Sequence, residues 1–351
     1  MPLIPEVREI LSGTVASFRG NAPEEVLAYW RDPLGEYVFF RGADGNLYLT
    51  INGGLQFSTL DERRYHEALF GLPALLEPVQ GEGPVRAKPK DRPLQVLVCG
   101  GGDGLGVRTL LELERRGMIS LAGITLVDIS EYMLFFASTH PVMRALNGES
   151  LRHPLVRVEV GDAHAYLASK GERFDLIVLD YPDPSLEPSD QVNRLFTVEH
   201  YRMVRARLAP GGIVSVQATS VWHSPNVFRK VMLTLQEAGF GLLLPLRLPM
   251  PSMGDVGIIY ASETGERFVF AAEPTGTFVR EGARFAALTA FLADELPTLP
   301  DEELARIPIW GVVGYDLRVR RMAVSEPGRF GVGCSVALQE RPFASGTAGN
   351  G

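Results

Sequence analysis

The stretch that decides the fold runs from Gln95 to Gly104 and reads QVLVCGGGDG. Its first half is a short apolar run, which predicts a buried strand. The glycines that follow predict a tight turn, and a helical pattern from about Leu105 to Arg116 begins directly after them. A strand, a glycine loop and a helix in this order are typical of α/β proteins that bind a nucleotide or nucleoside at the loop.

Strands and helices continue to alternate after this stretch. Strands are predicted at Ile124 to Val127, Val156 to Val160, Phe174 to Leu179 and Ile213 to Gln217, with helical segments between them. The helix Val198 to Leu208 is expected to stop at the Pro-Gly-Gly sequence of 210–212. This order predicts an α/β fold with a Rossmann-like, class I methyltransferase-type sheet of mostly parallel strands. The sheet is extended by a helix at 226–238 and strands at 241–248 and 256–261.

The region before the sheet has a different character. Glu36 to Phe40 and Leu47 to Ile51 are rich in aromatic and β-branched residues, and a Gly-Ala-Asp-Gly turn at 42–45 separates them. This pattern predicts a small N-terminal antiparallel β domain. A helix is then predicted from Asp61 to Phe70, with Ser58 or Thr59 as its cap and Pro73 beyond its end.

We therefore expect three parts in the chain. Residues 1–85 form the N-terminal β-hairpin region and a linking helix, residues 86–280 a Rossmann-like nucleoside-binding catalytic domain, and residues 281–351 a C-terminal extension with a disordered tail. The sequence at 81–93, rich in Gly, Pro and Lys, is predicted to be a linker.

Composition excludes several classes of protein. Hydrophobic residues make up 46% and charged residues 22% of the 351, so the chain can bury a large core. The net charge is −8 and no basic stripe is present, which argues against a nucleic-acid partner. No apolar run is long enough to span a membrane and no signal peptide is recognisable, so a cytoplasmic location without a membrane partner is expected. The two cysteines and six histidines lack metal-ligand spacing, so no metal is expected.

Acidic residues follow the predicted strands at the edge where open parallel sheets bind ligands. Asp128 comes after the glycine loop at about the interval expected of an acid that accepts both ribose hydroxyls. Asp162, which Ala163 follows, can accept a hydrogen bond from the amino group of an adenine. Each feature has a simpler explanation, since a glycine loop can be only a tight turn and a strand-ending Asp only a helix cap. Their occurrence together and in this order favours a nucleoside site.

Asp103 narrows the ligand further. Within Gly100-Gly101-Gly102-Asp103-Gly104 it places a negative charge where the pyrophosphate of a dinucleotide would rest. The loop also lacks the dinucleotide spacing. The residues therefore predict a positively charged ligand, and not a nicotinamide or flavin cofactor.

A second acidic cluster, Asp180-Tyr181-Pro182-Asp183-Pro184, lies at the end of another predicted strand. An amine must lose its proton before it can attack an electrophilic carbon, and a carboxylate within hydrogen-bond reach can take up that proton. A second carboxylate can hold a distal ammonium and fix the alignment. The cluster predicts a site for an amine substrate, with a capped turn as the simpler alternative.

These residues resemble the polyamine aminopropyltransferases, the spermidine synthase family. The resemblance covers roughly residues 35–260 and depends on Asn52 to Ser58, Asp61 to Glu67, Gly100 to Gly104, Asp180 to Pro184, Leu195-Phe196, Ala209 to Gly212, Gln217 and Pro251 to Gly254. It is closest to a bacterial branch that is often fused to membrane helices, which this sequence does not contain.

The resemblance implies transfer of the aminopropyl group of decarboxylated S-adenosylmethionine to a diamine or polyamine, with release of methylthioadenosine. It also implies a homodimer. It implies a donor site made of Gln56, Asp128 and Asp162 at the nucleoside and of His66 and Asp103 at the aminopropyl end. Asp180 would be the base or an orienting carboxylate, and Tyr65 and Asp183 would line the acceptor side.

The sequence departs from the family pattern on the acceptor side. Met250 stands where the family often has a Tyr, Asn52 stands for an Asp, and the loop after Pro184 is longer and differs in sequence. Two other functions therefore stay open. One is methyl or aminocarboxypropyl transfer from intact S-adenosylmethionine to a specialised metabolite, and the other is nucleoside binding without catalysis.

Overall fold

A computed structural model describes residues 23–81, 93–169, 171–184, 190–271 and 288–289. Contacts divide the chain into two units, which we describe separately. The described part of the first unit comprises residues 23–31 and 35–56, and the second comprises 32–34 and the described residues from Phe57 onward. All of the predicted linker at 81–93 except its two end residues, and nearly all of the predicted C-terminal extension, lie outside the described residues. The three-part division stays a prediction.

The first unit is built on a four-stranded sheet. Its strands are β1 (Pro23–Asp32), β2 (Gly35–Gly42), β3 (Leu47–Ile51) and β4 (Gly54–Ser58), in that spatial order. β2 and β3 pair in antiparallel register, with Phe39 opposite Leu49. In the turn between them, the Asp44 carboxylate accepts hydrogen bonds from the Tyr48 hydroxyl at 2.6 Å and the Asn46 amide at 2.9 Å. The predicted hairpin is confirmed.

The second unit begins with a helical segment that is longer than the sequence predicts. Helix α1 (Glu62–His66) continues through a π-helical turn at Glu67–Gly71 and a last turn at Leu72–Ala74. The prediction that Pro73 lies beyond the helix was wrong. Proline lacks the amide that would pair with the Leu69 carbonyl. That carbonyl instead accepts a hydrogen bond from the Ser215 hydroxyl at 2.7 Å, so the proline is tolerated.

The predicted cap of this helix was also wrong. The residue at the cap position is Asp61, and its side chain makes no capping hydrogen bond. The Asp61 carboxylate bonds instead to the backbone amide and hydroxyl of Ser252, at 2.7 and 2.8 Å. Ser58 accepts a hydrogen bond from the Leu60 amide and closes only the local turn.

The centre of the second unit is a seven-stranded sheet with the spatial order β11-β12-β10-β9-β6-β7-β8. Its strands are β6 (Leu94–Gly100), β7 (Leu121–Asp128), β8 (Val156–Val160), β9 (Phe174–Asp180), β10 (Leu208–Gln217), β11 (Leu242–Met250) and β12 (Gly254–Ser262). Five neighbouring strands pair in parallel, in the spatial order β10, β9, β6, β7 and β8. β12 pairs with β10 in antiparallel orientation, and β11 pairs with β12 in the same way. The predicted Rossmann-like fold, with a mostly parallel sheet, is confirmed. β5 (Leu76–Val79) and β13 (Arg267–Phe270) form a separate antiparallel pair.

Helices connect the parallel strands and bury an apolar core against them. They are α2 (Leu105–Arg115), α3 (Glu131–Thr139), α4 (Pro141–Leu146), α5 (Ala163–Ala168), α6 (Val198–Ala206) and α7 (Pro225–Glu237), with short 3₁₀-helices at Ser150–Arg152 and Gln191–Phe196. Phe174, Tyr201 and Phe228 are among the largest fully buried side chains. The Pro-Gly-Gly sequence at 210–212 does not lie between elements as predicted. It lies inside β10, whose pairing with β9 shifts register between Leu208 and Ile213.

The glycine loop follows β6 at the centre of the sheet. Gly100 has φ of +83°, and a Cβ placed on it would lie 2.1 Å from the carbonyl oxygen of Asp180 on the neighbouring strand. Only glycine allows both this backbone conformation and this close approach. Gly106, in the first turn of α2, faces the Phe70 ring, and a Cβ there would lie 2.2 Å from the ring carbon Cζ.

Two features are absent from the described residues. No helix among them is long and apolar enough to cross a membrane. They also contain no group of three or more His, Cys, Asp or Glu side chains arranged to hold a metal ion. Cys99 is fully buried, as expected of a small core residue, and its burial raises the thiol pKa to about 12. Cys334 lies outside the described residues.

The contact between Gly106 and Phe70 predicts a stability effect. Gly106→Ala should lower the free energy of unfolding by about 1–3 kcal/mol through overpacking, despite a gain in helix propensity of about 1 kcal/mol. Denaturant unfolding measures this change. Gly161→Ala is the matched control, because a Cβ at Gly161 meets no atom within 4 Å. Equal unfolding free energies for the two variants would contradict the prediction.

Candidate active site

The carboxyl ends of β6, β7 and β9 bring the glycine loop and two predicted site carboxylates together. Gly100 pairs with Asp180 in the parallel register of β6 and β9. The backbone amide of Gly102 donates a hydrogen bond to Asp128 Oδ2 at 2.9 Å. These neighbouring strands of one sheet therefore place Asp128, Asp180 and the loop from Gly100 to Gly104 around one point.

Asp128 is oriented by backbone amides. One oxygen bonds to Gly102 and the other accepts from the Ser130 amide at 2.8 Å. Burial raises the pKa of this carboxyl, and the two hydrogen bonds oppose that effect. Each carboxylate oxygen can accept more than one hydrogen bond, so Asp128 can still accept hydroxyl donors from a ligand.

Asp103 is a partly buried carboxylate inside the loop. Its Oδ1 accepts a hydrogen bond from the Leu105 amide at 2.9 Å, at the start of α2. Burial raises the pKa of Asp103 to about 6, while the neighbouring His66 acts in the opposite direction and Asp180 adds to the rise. A cationic group bound here would relieve the cost of an ionised carboxylate.

Asp180 is held by a short hydrogen bond from a tyrosine of α1. The Tyr65 hydroxyl donates to Asp180 Oδ1 at 2.5 Å, which joins α1 to the end of β9. Burial raises the pKa of Asp180, although His66 and the Tyr65 hydrogen bond lower it. Burial and the Asp180 charge raise the pKa of Tyr65 well above its ordinary value, so the hydroxyl stays a donor. Two residues predicted from separate motifs thus form one pair.

Asp183 lies at the exposed rim of the same region. Its two oxygens accept from the Gln217 amide at 2.8 Å and the Thr219 hydroxyl at 3.2 Å. The Gln217 carbonyl oxygen is shielded from solvent and has no hydrogen-bond partner among the residues described. Thr219 has a φ of +63°, an unusual conformation for a β-branched residue. A carboxylate and an unpartnered amide oxygen are suitable acceptors for an ammonium group.

His66 is buried near Asp103 and Asp180, and Glu62 holds its ring in place. Its Nδ1 lies 2.9 Å from Glu62 Oε2, and the same oxygen accepts from Arg108 Nη2 at 2.7 Å. Sequence reasoning missed Glu62 and Arg108. The spacing of four residues between Glu62 and His66 was the available signal, because such residues lie on one face of a helix.

Asp162 stands apart from the Asp180 pair, at the start of α5. One oxygen accepts from the His164 amide at 2.8 Å, and the other pairs with the Arg194 guanidinium. The simpler explanation, a helix cap, therefore holds for Asp162 whatever else it does. Ala163 follows as the first, buried residue of α5. Arg194 was not predicted.

Gln56 belongs to the first unit. It is exposed on β4, and its side-chain amide donates to the Gly54 carbonyl at 3.1 Å. Asn52, also in this unit, has a φ of +50° and accepts a hydrogen bond from the Glu36 amide at 2.9 Å. In the second unit, Met250 is fully buried at the end of β11. The divergent loop at 185–189 lies outside the described residues.

Comparison with known proteins identifies the family. The model of the spermine/spermidine synthase domain matches residues 62–272, and the chain belongs to that family. Polyamine aminopropyltransferase 2 of Ralstonia nicotianae is 36% identical over 239 residues, which are 68% of this chain and 42% of that protein. The polyamine aminopropyltransferase of Corynebacterium efficiens is 34% identical over 291 residues, 81% of this chain and 50% of its own. The chain thus spans half or less of the length of these curated relatives.

Solved structures support the fold. The spermidine synthase of Thermotoga maritima matches with a TM-score of 0.63 at 18% identity, over 79% of this chain and 89% of that one. A spermidine synthase in complex with the transition-state analogue AdoDATO matches with a TM-score of 0.64 at 17% identity, over the same shares of the two chains. The sequence resemblance to the spermidine synthase family is confirmed.

The raised pKa of Asp103 predicts a pH-dependent stability cost. Folding raises it from 3.8 to about 6, so the folded protein holds this proton more tightly, and wild type loses stability as the pH rises between these values. Asp103→Asn cannot ionise. Its unfolding free energy relative to wild type should rise by up to about 3 kcal/mol between about pH 4 and pH 7.5. Chemical denaturation at both pH values measures the change, and a constant difference would contradict the prediction.

Proposed function

We propose that this protein transfers the aminopropyl group of decarboxylated S-adenosylmethionine to an amine of a diamine or polyamine, with putrescine to spermidine as the leading reaction. The observation that supports it most is the Tyr65–Asp180 pair at 2.5 Å, with the carboxylates of Asp103 and Asp183 in the same region. Family membership agrees with this reaction. A plain methyl transfer has no need of two carboxylates that bind amines.

The donor would bind along the glycine loop. In this proposal Gly100 to Gly104 line the donor site, Asp128 accepts hydrogen bonds from the ribose hydroxyls, and Asp162 with Ala163 contacts the adenine. His66 and Asp103 lie toward the aminopropyl end, where the Asp103 carboxylate pairs with the donor's ammonium. The same charge repels the extra carboxylate of intact S-adenosylmethionine.

The reaction would be a direct displacement at the carbon next to the sulfonium. The acceptor amine forms the new C–N bond, the C–S bond breaks, and its electron pair neutralises the sulfur as methylthioadenosine leaves. The nitrogen sheds one proton, which Asp180 takes up. A carboxylate whose pKa is raised by burial is better matched to this task than an exposed one. Tyr65 holds Asp180 in place, and Asp183 with Gln217 orients the acceptor's ammonium.

We further propose that the protein is a cytoplasmic homodimer and that its reaction needs neither a metal nor a nucleic acid. The acceptor is proposed by class, because Met250 replaces the usual tyrosine and the loop at 185–189 diverges.

Donor selectivity gives the first test. Decarboxylated S-adenosylmethionine and methylthioadenosine should raise the melting temperature more than intact S-adenosylmethionine does, because only the intact form sets a carboxylate against Asp103. Asp103→Asn should narrow that difference. Equal or greater stabilisation by intact S-adenosylmethionine would favour the alternative donor.

Turnover gives the second test. With both donors offered against putrescine, spermidine and a panel of diamines, mass spectrometry should find aminopropylated products and methylthioadenosine. Asp180→Asn should lower kcat by about 100-fold or more and leave nucleoside binding nearly intact. Asp175→Asn is the matched control, because Asp175 lies at the other end of the same strand. Methylated or aminocarboxypropylated products, or no product from any pair, would reject the proposed reaction.

A further inference from the structure

Three buried side chains form a line of alternating charge beneath the site. Arg108 on α2 donates to Glu62 on α1 at 2.7 Å, and Glu62 contacts the His66 ring at 2.9 Å. All three are at most 4% exposed. Burying such charges costs free energy that their mutual attraction repays only when the geometry is good. We call these three residues the charge chain.

Glu62 is an anion at any working pH. Burial alone would raise the pKa of its carboxyl, but the hydrogen bonds and charges of His66 and Arg108 lower it to about 2. His66 responds in the opposite sense. Burial lowers the pKa of the imidazole, and Glu62, Asp103 and Asp180 together raise it above its ordinary value. The chain thus favours a positive charge on His66.

The upper end of the charge chain faces the proposed site. Nδ1 of His66 is taken by Glu62, and Nε2 has no hydrogen bond to any residue described. Three titratable groups from three elements act on the imidazole: Glu62 of α1, Asp103 of the loop and Asp180 of β9. The rings of Tyr65 and Phe70 pack against it at 5.1 and 5.8 Å between centroids. The imidazolium in turn lowers the pKa of both Asp103 and Asp180, against the effect of burial.

We propose that Glu62 is a positioning residue that keeps His66 cationic, and that the cationic His66 keeps Asp180 ionised while the site is empty. An ionised Asp180 can accept a proton, whereas a protonated one cannot. For its effect on turnover the inference rests on the proposed function. The ionisation of Asp180 itself can be measured without any substrate.

The ligand-free test is a pH titration of the side-chain carboxyl carbons by NMR, with ¹³C-labelled aspartate. Asp103→Asn and Asp180→Asn assign the two signals. Glu62→Gln should move the Asp180 midpoint to higher pH, because His66 then becomes neutral. Asp180 is the cleaner probe, since Glu62 also repels Asp103 directly and its removal partly offsets the change there. An unmoved Asp180 midpoint would overturn the inference.

Three further variants guard against a structural explanation. Glu112→Gln is the matched control, because Glu112 lies 3.9 Å from Arg108 and does not contact His66; its Asp180 midpoint should stay at the wild-type value. Glu62→Asp keeps the charge and should keep the midpoint closer to wild type than Glu62→Gln does. Should Glu62→Gln not fold with Arg108 left unpaired, the double variant Glu62→Gln/Arg108→Met removes both charges and should show the same upward shift.

Turnover gives an independent readout. At about pH 6.5, Glu62→Gln should lose roughly tenfold in kcat, and above about pH 9 it should return to within about twofold of wild type. A purely structural role would lower activity equally at all pH values. A shifted NMR midpoint without aminopropyl transfer by any variant would reject the proposed function and leave the inference standing. Aminopropyl transfer with an unshifted Asp180 midpoint would support the proposed function and overturn the inference.

Discussion

The site depends on the pairing of Gly100 with Asp180 at the centre of the parallel sheet. The Asp180 carbonyl occupies the space that any Cβ at position 100 would need, at 2.1 Å. This close approach allows the loop to turn directly over the end of β9, so that Asp103 and Asp180 come within electrostatic reach of each other. A bulkier residue would push the two strands apart and separate the carboxylates. Gly100 is therefore required both for the turn of the loop and for the close placement of the Asp103 and Asp180 carboxylates.

Several ionised carboxylates close together in an empty, buried site raise the free energy of the folded protein. Burial raises the pKa of Asp103, Asp128 and Asp180, so each stays ionised only against a desolvation cost. The protein offsets part of this cost with backbone amides at Asp128 and with the His66 imidazole near Asp103 and Asp180. The remainder is available to a cationic ligand, which gains affinity by completing the charge balance. Such a site gives up stability for binding, as functional sites commonly do.

Much of the fold could be predicted from the sequence, because strand periodicity and glycine turns are local signals. The strand Val156–Val160 has the predicted bounds, and from β6 to β12 the strands and helices alternate in the predicted order. The strands β1, β5 and β13 were not predicted. Predictions were wrong where distant residues override local preference, as at Pro73. The Leu69 carbonyl, which has no amide partner at Pro73, accepts a hydrogen bond from the distant Ser215 hydroxyl instead. The charge chain could not be found from the sequence, since a Glu and a His four residues apart usually mark a solvated helix face. Arg108, 46 residues away from Glu62, turns that pair into a buried network.

The same distant contacts explain how α1 holds its site residues in register. The helix is attached to the sheet one turn beyond His66, where the Ala68 and Leu69 carbonyls accept hydrogen bonds from the hydroxyls of Tyr260 on β12 and Ser215 on β10. These carbonyls are available because the π-helical turn and Pro73 disrupt the regular helix pattern there. β10 is also the strand that ends at Gln217, the partner of Asp183. One strand thus positions both the helix of Tyr65 and His66 and the partner of Asp183, so the irregular helix is part of the site's construction.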